Sequence, residues 1–125
     1  MWLEGDSLKR TLMLQSPRAR RALCGVVLAT YRVELTALLS RMASGGVAAG
    51  DAAVVHDLAR RIANTAGTVH LRSVEHEATT LQRRASAAQR GGGKAEGAML
   101  VAGLRVVDHI LAAAPIEAAQ GSAAN

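Results

Sequence analysis

Residues 16–46 read SPRARRALCGVVLATYRVELTALLSRMASGG, and their spacing decides the fold class. Ser16 is a good helix N-cap, because its hydroxyl oxygen accepts a hydrogen bond from an otherwise unpaired amide of the first turn. Pro17 takes the first helical position, where its missing N–H costs nothing. Leu23, Val27, Tyr31, Leu35, Leu38 and Met42 then recur every three or four residues, which is one face of an α-helix. Arg18, Arg20, Arg21, Arg32 and Arg41 fall mostly on the other side. Ser44-Gly45-Gly46 ends the helix near Ala43.

The same logic extends in both directions. Upstream, Asp6 or Ser7 can cap a short helix with Leu8, Leu12 and Met13 on one side, ending near Gln15. Downstream, Gly50-Asp51 opens a helix whose free amides Asp51 is expected to cap. Its buried stripe is Val55, Leu58, Ile62, Ala66 and Val69. Gly67 marks a turn or a close backbone approach. A further helix runs from about Leu71 to Gln89, with Leu71, Val74, Ala78, Leu81, Ala85 and Ala88 inward. Gly91-Gly92-Gly93 ends it. The last helix covers about Ala95 to Ala113, with Leu100 or Val101, Leu104, Val107 and Leu111 inward, and Pro115 stops it.

Four long amphipathic helices with short loops bury their stripes best as an antiparallel up-and-down four-helix bundle. The expected fold class is therefore all-α, with the short N-terminal helix as a cap. Residues 1–114 are expected to form one domain and 115–125, rich in Ala, Gly, Ser and Asn, a flexible tail. Composition agrees. The 125 residues are 50% hydrophobic, with no Phe, one Trp and one Tyr. Ala is abundant, and β-branched residues other than Val are scarce, which favours helix over sheet.

Other classes drop out. A lone Cys24 excludes a disulfide framework and reads as a small buried hydrophobe. The longest wholly apolar run falls far short of the ~20 residues of a membrane span. Met1-Trp2-Leu3 runs into Glu4 and Asp6 without a secretory apolar stretch, so the expected location is the cytoplasm. The net charge of +5 favours acidic partners without naming them. No nucleophile triad, phosphate-binding loop or dinucleotide motif is present, and no enzymatic activity is expected.

The segment Gly50 to Gln82, GDAAVVHDLARRIANTAGTVHLRSVEHEATTLQ, resembles the histidine phosphotransfer (HPt) domain of bacterial phosphorelays. That family carries Gly-Asp, then an apolar helix ending Leu-Ala-His-x-Leu-x-Gly-x-Ala-Gly-Thr, then a further helix. Gly50-Asp51, Leu58-Ala59, Ile62, Ala66-Gly67-Thr68-Val69, Val74, Ala78 and Leu81-Gln82 fall in this register without a gap. In it, Arg60 stands where the family has its phosphoacceptor histidine. Asn64 replaces the glycine that follows, and His70 a second glycine.

The resemblance implies a four-helix module whose exposed imidazole takes a phosphoryl group from a receiver domain. A guanidinium has no acceptor lone pair and stays protonated at ordinary pH, so Arg60 cannot do this. What the resemblance then implies is a pseudo-HPt domain that binds a response-regulator receiver domain or a histidine kinase without phosphotransfer. The implied contact residues are His56, Asp57, Arg60, Arg61, Ala63, Asn64 and Gly67. Arg60 could pair in bidentate fashion with an acidic receiver pocket. It reads equally as one more solvated cation beside Arg61.

Two alternatives stay open. A relocated acceptor, His56 being four residues before Arg60, would make the chain an active phosphotransfer protein. The Arg-rich start at Arg18, Arg20 and Arg21, with Arg83 and Arg84, would suit nucleic acid, but stacking aromatics are nearly absent. Glu75, His76, Glu77, His70 and His109 make no ligand set on one face, so neither metal nor cofactor is expected. The oligomeric state is left open.

Overall fold

The computed structural model describes residues 16–91 and 93–114. Its elements are α1 (Pro17–Gly45), α2 (Asp51–Thr68), α3 (Arg72–Gly91) and α4 (Lys94–Ala113). No strand occurs among the described residues. The short helix expected over residues 8–15 and the tail 115–125 lie outside them. Each helix packs on its chain neighbours, and α4 closes the ring against α1.

The helices start and stop for identifiable reasons. Ser16 Oγ accepts the Ala19 amide at 3.1 Å, as its place before Pro17 requires. Gly46 (φ 80°) and Gly50 (φ 89°) turn the chain between α1 and α2 in a region that Cβ-bearing residues avoid. At the α2–α3 turn His70 takes the left-handed conformation itself (φ 60°). Gly93 precedes α4, and the Glu96 carboxylate accepts the Gly93 amide at 2.9 Å.

Asp51 corrects the sequence reading. It is the first residue of α2, not its N-cap, and it makes no cap bond within its own helix. Its carboxylate turns back instead. It accepts the Ala48 amide at 2.7 Å and the Arg41 guanidinium at 2.5 and 3.3 Å. The left-handed Gly50 reverses the chain, so the Asp51 side chain faces the end of α1 rather than its own amides. Its side chain is only 7% exposed.

The core is built from Leu28, Tyr31, Leu35, Leu38 and Met42 of α1 against most of the expected stripes of α2, α3 and α4; Leu71 and Ala88 are only partly buried against it, and Val69, expected inward, follows the end of α2 and stays outside the cluster. Ala59, Ala66, Ala78 and Ala85 are completely buried. These small side chains set α2 and α3 close together. Gly67 makes the close approach expected of it, because a Cβ there would come within 2.6 Å of the Glu75 carboxylate. Within α1, Cys24 and Leu28 take the buried places, and Leu23 and Val27 flank them half-buried. The buried series Met42, Leu38, Leu35, Tyr31, Leu28, Cys24 follows the 3.6-residue period back from the C-terminal end.

By length and composition α1 is long and apolar enough to cross a membrane, although no uninterrupted apolar run within it reaches that length. Arg32 and Glu34 break the run. Within the bundle Arg32 pairs with Asp108 at 3.0 Å, and Glu34 lies 3.8 Å from Arg61.

Candidate functional site

α2 presents the residues singled out from the sequence. Its buried arc holds Val55, Leu58, Ala59, Ile62, Ala63 and Ala66. At 100° per residue the opposite ridge is Ala53, Asp57, Arg60 and Asn64. Asp57 and Asn64 lie closest to the most outward direction, and Arg60, midway along the helix, stands to the His56 and Gly67 side of it with its side chain 47% exposed. Asn64, one turn on, is also exposed. His56 and Gly67 border the ridge on one flank and Arg61 on the other, all half-buried. Ala63 is in the core, so its side chain is not on the exposed face.

The ridge is knitted by charge. Asp57 accepts from Arg60 Nη2 at 2.6 Å and from Arg61 Nε at 2.9 Å and Nη2. Spacings of three and four residues bring both cations over one carboxylate. Burial pushes the Asp57 carboxyl up, but the hydrogen bonds and charge of the two arginines outweigh it and hold the group below its ordinary value. Arg61 also lies 5.9 Å from the Tyr31 ring centre, in reach of a cation–π contact with α1. Burial opposes its charge, yet Asp57 and Glu34 keep the guanidinium more firmly protonated than usual. Glu34, Arg61, Asp57 and Arg60 thus form a chain of alternating sign across α1 and α2.

Arg61 is anchored on three sides and serves to orient Asp57. Arg60, by contrast, is held by one exposed pair, of a kind contributing about 0–1 kcal/mol. It can exchange Asp57 for an incoming carboxylate or phosphoryl oxygen at small cost. His56 Nε2 lies 3.5 Å from Gln82 Nε2 of α3, off the ridge centre. His70, His76 and His109 are exposed on the α2–α3 turn, α3 and α4. No group of three or more His, Cys, Asp or Glu suited to a metal ion occurs among the described residues.

Sequence reasoning named Asp57 as a contact residue but not as the carboxylate shared by Arg60 and Arg61. The signal was there, an acidic residue three and four places before an Arg-Arg pair. It also missed an open groove of about 990 Å³ between the 46–50 loop and the start of α4, with Met42, Val47, Leu100 and Val101 in its walls and Lys94 and Arg105 beside them. Of the ridge residues, Ala53 lines it, and Asp57, Arg60 and Asn64 do not.

Comparison with known proteins returns no matching family model, no matching curated protein and no matching solved structure.

Proposed function

We propose that the chain is an HPt-like signalling module without phosphotransfer, which docks a response-regulator receiver domain through the α2 ridge, with Arg60 at the centre. One observation carries the reading. Residue 60, which the resemblance puts at the phosphoacceptor position, stands outward in the middle of a bundle helix and is held only by an exposed ion pair. A receiver pocket is acidic in the family picture, and a guanidinium fits a carboxylate or phosphoryl group in bidentate fashion.

The architecture belonging to this reading is an up-and-down antiparallel bundle with residues 8–15 as a short capping helix. Paired positions support the antiparallel part. Arg41 of α1 meets Asp51 of α2, while the earlier Glu34 meets the later Arg61. Gly67 of α2 meets Glu75 of α3, while the earlier His56 meets the later Gln82.

Arg60 alone does not make a complex. Its pairing gains from burial at an interface and loses to desolvation. The half-buried flanks and the uncharged Asn64 and Ala53 supply the surface from which water must be excluded. The module then regulates by occupancy, holding a receiver without moving its phosphate.

Titration calorimetry of the purified chain against receiver domains from its source organism is the test. The expected result is saturable binding to at least one receiver, weakened about tenfold or more by Arg60→Ala. No binding to any receiver, or binding that Arg60→Ala leaves untouched, refutes the proposal. Mass spectrometry after incubation with a phosphorylated receiver checks the second half. Acid-labile phosphate on His56 or His70 would replace it with an active phosphotransfer protein.

A further inference from the structure

Outside the α2 ridge, α3 carries a basic crest. Arg72, Arg83 and Arg90 are exposed. At about 100° per residue their positions fall within about 20° of one another, along about 27 Å of straight helix. They point away from the buried Val74, Ala78, Leu81 and Ala85 of the same helix. Exposed His76 lies beside them. No acid stands on the crest. Glu75 turns toward Gly67 of α2, and Glu77 sits half-buried on a flank. Thr79 and Thr80 fill the middle, their hydroxyls donating to the Glu75 and His76 carbonyls at 2.8 and 3.0 Å. Ala87 is its largest apolar side chain.

The charge on this crest is left over by the bundle. Arg60 and Arg61 of α2 pair with Asp57, and Arg32 and Arg41 of α1 pair with Asp108 and Asp51. Among the described residues none of the α3 arginines makes a salt bridge. That holds also for Arg84, on the flank facing α4, where its Nη1 lies 3.7 Å from the place a Cβ on Gly103 would take. A row of cations without counter-charges attracts a polyanion.

We infer that α3 seats its crest in the major groove of double-stranded DNA, with Arg72, Arg83, Arg84 and Arg90 on the phosphates of the groove walls. Charge and shape together select this occupant. α3 packs on α2 and α4 and stands diagonally across from α1, so it forms a convex corner of the bundle. A helix about 10–12 Å wide matches a major groove about 12 Å wide. A planar lipid surface meets a convex crest only along a line, and no apolar or aromatic side chain stands there to enter it. Single strands are held largely by stacking on aromatic rings, and Tyr31 is buried. The deep, narrow major groove of an RNA duplex does not admit the helix. Guanidinium suits phosphate, which it meets with two parallel hydrogen bonds. The inference is independent of receiver docking, because no α3 arginine belongs to the α2 ridge.

Four phosphate contacts set a measurable salt dependence. The slope of log affinity against log salt is about −3.6, so affinity falls roughly 150-fold between 50 and 200 mM. Fluorescence anisotropy of the full chain with a labelled DNA duplex of about 20 base pairs reads this directly, with saturable binding at the lower salt. Combined Arg83→Gln and Arg90→Gln weakens binding tenfold or more there and makes the slope shallower by about 2. Arg18→Gln with Arg21→Gln removes the same charge from the exposed start of α1 and changes affinity less than threefold. Both double variants keep the wild-type melting curve by circular dichroism, since the positions are exposed. No saturable duplex binding at the lower salt, an equal loss in the two double variants, or a slope that Arg83→Gln with Arg90→Gln leaves unmoved overturns the inference. So does a preference for the single strand, for an RNA duplex of the same sequence, or for vesicles of anionic phospholipid over the DNA duplex.

Discussion

Asp51→Ala removes the one carboxylate that ties the end of α1, the 46–50 loop and the start of α2 together. Three hydrogen bonds go with it, from the Ala48 amide and from two nitrogens of Arg41. Arg41 is 51% exposed and turns to water, so its loss adds little. The Ala48 amide is different, because its bond is to a charged acceptor that is itself buried. Such a bond contributes about 1.5–3 kcal/mol. Asp51→Ala should therefore cost about 2 kcal/mol, which for a domain of this size lowers the melting temperature by roughly 8–15 °C. Asp51→Asn keeps an acceptor oxygen for Ala48 but no charge, and should cost about half as much.

The pH dependence separates this account from a simple loss of packing. Hydrogen bonding to Arg41, with help from the Ala48 amide, outweighs burial and holds the Asp51 carboxyl below its ordinary value. A carboxyl lowered on folding stabilises the native state above its unfolded pKa of about 4 and ceases to do so as pH falls through the lower, folded value. Urea titrations at neutral pH and near pH 3 should show the gap between wild type and Asp51→Ala shrinking in acid. A cost under about 0.5 kcal/mol at neutral pH would refute the reasoning. So would a gap that stays constant down to pH 2.

Two further substitutions probe the interior. Ala78→Leu forces three heavy atoms into a completely buried site and should destabilise by about 1–3 kcal/mol in a denaturant titration, moving α3 off its neighbours. Gly67→Ala should be neutral or slightly stabilising by the same measurement. Its new Cβ meets only the flexible carboxylate of the exposed Glu75, and alanine gains about 0.5–1 kcal/mol over glycine within a helix.

The helices were legible because their boundaries are written in local chemistry: Ser16-Pro17, the glycine pairs around 45–50, the triplet at 91–93. Which residues of α1 point inward was only half legible. Leu23-Cys24 and Val26-Val27-Leu28 are apolar side by side, so spacing alone does not choose between neighbours. The 3.6-residue period carried back from Met42 does choose, and it selects Leu28 and Cys24. Asp51 was misread because a residue after glycine resembles a cap, while its true partners lie three and ten places back across a left-handed turn. Arg60's outward position followed from the apolar residues around it. Its tether to Asp57 depends on a side chain that spacing permits but does not compel.

Cys24 has a practical consequence. The side chain is completely enclosed, and burial lifts its thiol above the ordinary value despite the charge of nearby Arg20. Since thiolate is the reactive form, this native sulfur is a poor target for maleimides and mild oxidants. Any cysteine introduced on the surface becomes the sole labelling handle of an otherwise wild-type chain. Spin labels or fluorophores can therefore be placed at will on α1 or α2 without first removing the natural thiol.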